Sequence, residues 1–335
     1  MIAATSGQPV SITGLGCHVP DRVVTNDDLA KLVDTSDEWI RERTGIRERR
    51  YAADDEALSD IALPAARLAL DQAGFAGSEL DLLIVATVTP DMVFPSTAAI
   101  LADQLGAADA AAYDLSAGCT GFMYGIAQAT GMIGAGLSRR ALVVGADVLS
   151  KLMNFADRST CVLFGDGAGA AVLEPVDAEG FLGFELGADG AGGLDLQLPA
   201  GGSRLPASVE TVAGGLHYVQ MNGREVFKFA TRVLVNSAEK LLAETGVAIE
   251  DVDVYVPHQA NVRIIDHAVA KLGIPEERVV VNVDRYGNTS SASIPVALAE
   301  AVADGRIHKG DTVLMTGMGA GLTWGSALLR WTEAS

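Results

Sequence analysis

The sequence predicts an α/β protein built from two similar halves, residues 1–177 and 178–335, each a mixed sheet covered by helices. Three observations carry this. Apolar runs rich in β-branched residues alternate with helical periodicity, the pattern of strands buried between helices. The chain also repeats itself weakly. Residues 72–85 resemble 244–257, with the same spacing from Gly74 to Asp81 as from Gly246 to Asp253, and residues 164–173 resemble 317–329. Such self-similarity marks a duplication. Finally, 335 residues, 49% of them hydrophobic, are ample for a large core.

Taken in order, the runs at 82–88, 141–148, 161–164, 252–256, 279–283 and 312–316 read as buried strands. Helical patterns fall at 61–73, 227–245, 263–272 and 295–304. The Gly/Ala/Pro-rich stretch 187–215 reads as a loop or flap. Residues 115–137 carry no charge and are long enough to span a bilayer. Several glycines, Ser116, Thr120, Gln128 and Thr130, and a turn at Cys119 argue instead for a strand end and a buried helix in a soluble protein.

The net charge of −19 argues against nucleic acid as a partner. Basic residues cluster locally: five arginines in 41–50, then Arg224, Lys228 and Arg232 at a spacing of four, then Arg263. Basic patches near reactive turns of an acidic protein point to an anionic ligand there. Three widely spaced cysteines make neither a disulfide framework nor a metal-binding spacing, which fits a reducing cytosol. Residues 1–7 lack a basic region followed by an apolar core, so no signal peptide is expected. The Gly-Asp-Gly-Ala-Gly and Gly-Met-Gly-Ala-Gly strings lack the dinucleotide-binding spacing, so no nucleotide cofactor is expected.

Three turns carry the chemistry: Cys119 among small residues, His258 at the end of a strand-like run, and Asn288 before a small-residue helix. A helix starting near Thr120 would favour the Cys119 thiolate through its free N–H groups and dipole. Gly118 and Gly121 leave room for a thioester. Cys17 and Cys161, in apolar strand-like segments, read as structural. If the halves face each other about a pseudo-twofold axis, the Cys119 and Asn288 turns are equivalent and can meet, and His258 matches Ala86. A thiol, an imidazole and an amide are equipment for covalent thiol catalysis, in a hydrolase as well as in a condensing enzyme. Asn takes no proton, so with a neutral His it suits stabilising an enolate formed by decarboxylation.

These residues resemble the β-ketoacyl-[acyl-carrier-protein] synthase III family, from about Ile12 to Trp331. The likeness rests on residues 35–46, the Cys119 turn, Asp157-Arg158, residues 164–169, 257–263, 286–295 and 322–326. It implies the thiolase fold, duplicated halves packed as αβαβα layers, and a cytoplasmic homodimer that starts fatty acid synthesis. Its substrates would be acyl-CoA and malonyl-acyl-carrier protein, with no cofactor and no metal. Cys119 would take the acyl primer. His258 and Asn288 would bind the malonyl thioester, and the N–H groups of Cys119 and Ala320 would form the oxyanion hole. Trp39 and Arg158 would sandwich the CoA adenine beside Thr35. Arg43 would meet a CoA phosphate, while Gly223 and Asn261 would line the pantetheine arm. Leu149, Phe164, Met318 and Phe94, the last reaching over from the neighbouring subunit, would form the acyl pocket. Arg43, Lys228 and Arg263 would receive the carrier protein. The chain departs from well-known members at Thr120, Met318 and Ala270, where alanine, a bulky aromatic and lysine are common.

Overall fold

The structure, a computed structural model, describes residues 2–3, 7–177 and 179–332; the expected boundary at 177/178 abuts Ala178, outside the described residues. Two five-stranded sheets form the frame. The first runs, edge to edge, Val10–His18, Gly167–Pro175, Ala141–Asp147, Leu82–Ala86 and Ala111–Leu115. The second runs Ile2–Ala3, Phe181–Ala188, Thr323–Arg330, Thr312–Gly319 and Val254–Pro257. From Val10–His18 in one and Phe181–Ala188 in the other, both sheets read antiparallel, antiparallel, then parallel. The Asp81 carboxylate accepts the Arg140 N–H at 2.9 Å, and the Asp253 carboxylate accepts that of Thr312 at 2.8 Å. Five residues beyond these aspartates, Ala86 and His258 stand at equivalent strand ends.

The period-two alternation of strands assigns each face to a different core. Leu82, Ile84 and Ala86 enter the core between the sheets, while Leu83 and Val85 face outward. That central core holds the helices Gly121–Gly134 and Ser293–Ala303. Burying Phe122 or Ile126 from this layer contributes about 1.5–3 kcal/mol each. Helices Leu58–Ala73 and Thr97–Leu105 cover the outer face of the first sheet, and Gly223–Thr245 with Val262–Leu272 covers that of the second. The result is five layers, αβαβα. The uncharged stretch 115–137 becomes a strand end and the central helix Gly121–Gly134, and no helix among the described residues is long and apolar enough to cross a membrane.

Two expected strands are absent. Residues 161–164 and 279–283 each supply one isolated bridge, Phe164 to Asn288 and Val279 to Tyr255. In the first segment the Cys161 and Leu163 N–H groups donate back to Asp157 and Thr160 carbonyls, so turns consume the donors a ladder needs. The second leaves only four residues between the turn Glu276–Arg278 and the short helix Val283–Tyr286; Val280 N–H donates to Tyr255 O, and Asn282 N–H turns to the Gln259 side chain. The flap at 187–215 is mostly turns, with a short strand Leu196–Gln197 and a helix Val209–Ala213.

Candidate active site

Cys119 lies in a single turn, Gly118–Thr120, between the strand Ala111–Leu115 and the helix Gly121–Gly134. Gly118 has φ +56°, and a Cβ there would sit 2.6 Å from the Ala320 nitrogen. A Cβ on Gly319 would sit 2.4 Å from the Cys119 nitrogen. Backbone thus meets backbone, and only glycine permits it. The contact brings a turn of the first half against the end of Thr312–Gly319 in the second. Thr120 Oγ1, 2.8 Å from Thr323 Oγ1, fastens the same segments and accounts for threonine at this position.

The expected thiolate preference is overturned in the free protein. Burial pushes the Cys119 thiol up to about 11. The Ser290 hydroxyl pulls it down, the charge of Asp147 pushes it up, and hydrogen bonds from the Cys119 and Ala320 N–H groups pull it down. Desolvation of the buried sulfur outweighs these donors. The thiol is neutral at rest, and the donors act as negative charge develops. Cys17 and Cys161 are likewise pushed up to about 11, chiefly by burial, as structural thiols are.

His258 follows the strand Val254–Pro257, and its N–H donates to Thr316 O at 2.8 Å. Burial lowers its pKa to about 4, so the ring is neutral at physiological pH. Nδ1 lies 2.5 Å from Ser293 Oγ, whereas Nε2 is buried without a hydrogen-bond partner among the described residues. The neighbouring Gln259 side chain donates to Pro257 O (2.8 Å) and Val280 O (3.0 Å) and accepts the Asn282 (2.9 Å) and Val283 (3.2 Å) N–H groups. That bracket holds the histidine loop against the segment leading to Asn288.

Asn288 is fixed through its backbone: its N–H donates to Leu163 O at 2.8 Å, and its carbonyl accepts from Gly165 N at 3.0 Å. Its Oδ1 accepts the Ser290 N–H at 2.8 Å, which leaves the amide NH₂ as the end without a partner among the described residues. Ser290 itself has φ +54°, a strained value for a non-glycine. Beneath this turn the buried Asp147 carboxylate accepts Thr87 Oγ1 (3.0 Å), Val88 N (2.8 Å), Thr89 Oγ1 (3.0 Å), Ser291 N (3.2 Å) and Ser291 Oγ (2.8 Å). It ties the end of Leu82–Ala86 to the asparagine turn.

Two cavities share Cys119. One, of about 90 Å³, is lined by Cys119, Phe164, Gly223, His258, Asn261, Asn288 and Met318, among others. The other, of about 220 Å³, is lined by Cys119, Leu149, Phe164 and Ala320 with Leu152, Leu198 and Val219. Met318, expected with the acyl pocket, therefore sits on the histidine side. Phe94 lines neither; it is 83% exposed, beside Val93 at 87%.

The arginine run 41–50 is not one patch. Arg49 is fully buried, donating to Val24 O, Asn26 Oδ1 and Val162 O. Arg41 pairs with Asp37, and Arg50 with Glu48. The sequence run crosses from the helix Asp37–Thr44, which carries Arg41 and Arg43, into the strand Glu48–Tyr51, where Arg49 and Arg50 alternate between faces. Arg43 stays exposed and stacks on Trp39 at 4.8 Å, with Arg158 on the same indole at 5.0 Å. The half-buried Thr35 has its Oγ1 enclosed without a partner among the described residues. Asn261 caps the helix Val262–Leu272 and donates to Arg43 O at 3.1 Å, joining the Trp39 group to the cavity wall. Arg263 is exposed and lies over the Phe227 ring at 5.8 Å, while exposed Lys228 pairs with Glu225.

Comparison with known proteins follows this geometry. Residues 113–190 match the model of 3-Oxoacyl-[acyl-carrier-protein (ACP)] synthase III, and residues 242–331 match that of its C-terminal part. The chain is 61% identical to a β-ketoacyl-[acyl-carrier-protein] synthase III of Symbiobacterium thermophilum, over 97% of this chain and 98% of the relative. The chain belongs to the β-ketoacyl-[acyl-carrier-protein] synthase III family. A synthase III of Desulfitobacterium hafniense is 56% identical over the same shares. The solved synthase III from Thermus thermophilus superimposes with a TM-score of 0.90 at 50% identity, covering 97% of this chain and all of that one. Membership in the family gives the five layers the thiolase fold and makes the protein an acyl-transferring condensing enzyme.

Proposed function

We propose that the protein joins an acyl primer from acyl-CoA to malonyl-acyl-carrier protein, with loss of CO₂, giving the 3-oxoacyl-carrier thioester that starts fatty acid synthesis. One observation carries this: Cys119, His258 and Asn288, from different halves, line one cavity, and both nitrogen side chains offer uncommitted ends.

In the first step the Cys119 sulfur attacks the acyl-CoA carbonyl. The carbon–sulfur bond to CoA breaks, and the proton of Cys119 leaves with the CoA thiol. The N–H groups of Cys119 and Ala320 hold the oxygen as it gains charge. In the second step the malonyl carboxylate departs as CO₂, and its bonding electrons form an enolate whose oxygen meets His258 and Asn288. The enolate carbon then attacks the acyl carbonyl on Cys119, the carbon–sulfur bond to Cys119 breaks, and the released thiolate takes a proton from water to restore the thiol.

The cavity of Leu149, Phe164 and Leu152 receives the acyl chain, completed by Phe94 of a second subunit in a cytoplasmic homodimer. The exposure of Val93 and Phe94 supports that arrangement. Gly223, Asn261 and Met318 flank the pantetheine arm. Trp39 and Arg158, beside Thr35, take the adenine, and Arg43 meets a phosphate. A ring stacked between two planes needs about 7 Å, so Arg158 swings off the indole to admit it. Arg263, Lys228 and Arg43 receive the carrier protein.

Incubation with acyl-CoA and malonyl-carrier protein tests the reading. The expected products are CO₂ and a 3-oxoacyl-carrier thioester, both absent with Cys119→Ser. Free fatty acid in place of the 3-oxo product would overturn it.

A further inference from the structure

One buried hydroxyl touches the proposed machinery from behind. Ser293 opens the helix Ser293–Ala303 and is enclosed by the central core. Its Oγ accepts the Gln259 N–H at 3.2 Å and lies 2.5 Å from His258 Nδ1. It makes no other hydrogen bond among the described residues. Gln259 holds that N–H in place, because its own side chain is bracketed at both ends.

A serine hydroxyl brings one proton and two lone pairs. The Gln259 N–H occupies one lone pair. The proton has a single acceptor in reach, His258 Nδ1. Were Nδ1 to carry the hydrogen and donate to Oγ, the hydroxyl proton would be left in a closed space with no acceptor, the costly way to bury a polar group. A doubly protonated ring is disfavoured by burial. The ring proton is left to Nε2, the buried nitrogen with no partner among the described residues, on a residue that lines the cavity with Cys119 and Asn288.

We propose that Ser293 is a positioning residue that donates to His258 Nδ1 and so fixes the proton of the neutral ring on Nε2. The assignment rests on the reading of His258 as the group facing the malonyl thioester. Its consequence is a choice of chemistry. With Nε2–H and the Asn288 NH₂ both pointing outward as donors, the site offers two hydrogen bonds to one oxygen and no base. A thioester can become an enolate there only by losing a group that leaves its electrons behind, as a carboxylate does. Removal of a C–H proton would need the Nε2 lone pair that Ser293 withholds. The same lock keeps His258 from serving as the base for Cys119.

The test is the tautomer itself. The chain has five histidines, so ¹⁵N-histidine labelling resolves the ring nitrogens, with His258 assigned by the signals lost in His258→Gln. In the intact protein Nε2 is expected to bear the proton and Nδ1 to show the shift of an unprotonated, hydrogen-bonded nitrogen. In Ser293→Ala the two shifts should move toward each other as the tautomers exchange. Condensation kcat should fall about tenfold, the size of one net hydrogen bond, with KM for malonyl-carrier protein held. Should the alanine variant not fold, Ser293→Cys keeps the shape with a weaker donor and should show the same displacement. A proton on Nδ1 in the intact protein, or unmoved shifts in a folded Ser293 variant, would overturn the lock. Failure of the intact protein to form any 3-oxoacyl product would instead sink the functional reading and leave the tautomer result standing.

Discussion

Replacing Asn288 by aspartate separates the asparagine's structural work from its chemistry. Three hydrogen bonds fix the residue: N–H to Leu163 O (2.8 Å), carbonyl from Gly165 N (3.0 Å) and Oδ1 from Ser290 N (2.8 Å). All three survive in Asn288→Asp. In Asn288→Ala the third is lost, the buried Ser290 N–H is orphaned at about 1–3 kcal/mol, and Ser290 is freed from its strained φ. The aspartate therefore tests only the loss of the NH₂ donor. One such donor is worth about 2.7–4 kcal/mol in the transition state, so condensation should fall by about 10²–10³. Burial raises the pKa of the new carboxyl, and its protonated form can donate where the carboxylate cannot. Residual condensation should therefore grow as pH falls from about 8 toward about 5, and stability to chemical denaturation, lowered by the buried charge at the upper end, should recover over the same window. Acylation of Cys119 from acyl-CoA is followed by intact mass, and CO₂ release from malonyl-carrier protein is followed separately. Equal losses in the two half-reactions, or condensation within tenfold of the native rate at neutral pH, would refute the division of labour.

Other outcomes follow from the same geometry. Short acyl-CoA alone should add one acyl group per chain, absent in Cys119→Ser; an adduct mapped to Cys17 or Cys161 would contradict the assignment. Iodoacetamide inactivation should keep accelerating with pH up to about 11, since burial holds the Cys119 thiol there; a plateau near neutrality would show the thiolate already formed. Three thiols raised from 9.0 to about 11 favour the folded state below pH 9.0, and that stability is lost as pH rises toward 11. The gap on Cys119 alone corresponds to roughly 3 kcal/mol. His258, lowered from 6.5 to about 4, acts in the opposite direction, its contribution being lost as pH falls through that window. Thermal melts across both ranges check the signs. Arg263→Glu should raise the apparent KM for malonyl-carrier protein, most steeply below the salt at which a Debye length of about 10 Å screens it, and leave Cys119 acylation intact. Unchanged carrier kinetics at low salt would place docking elsewhere.

Much of the frame was legible because some strands are rich in Val, Ile and Leu. Leu82–Ala86, Ala141–Asp147, Val254–Pro257 and Thr312–Gly319 all fall on expected runs. Val10–His18 was legible only as a strand-like segment around Cys17, and Gly167–Pro175 escaped, because helices lie directly on them. A Cβ on Gly16 would meet Ala65 O at 2.1 Å, and one on Gly169 would meet Pro295 at 2.7 Å. Close helix packing demands small residues, which read as poor strand formers. Conversely, residues 161–164 look like a strand because Phe164 lines the cavities, not because the backbone pairs. At the site, Cys119, His258 and Asn288 announced themselves by their turns. Gln259, Ser293 and Asp147 did not. Each works through partners distant in sequence, and an aspartate accepting five donors has the same letter as one on the surface.

The backbone notch at Gly118, Gly319 and Ala320 also bears on descent. One methyl group on Gly118 would collide with the other half of the chain, and one on Gly319 with the Cys119 turn. A residue larger than glycine at either position would therefore push the two halves apart at the nucleophile. A chimera crossing over between Asp177 and Phe181 inherits its nucleophile from one parent and the wall behind it from the other. It will be active only where both parents kept the notch empty, however well their separate cores fold.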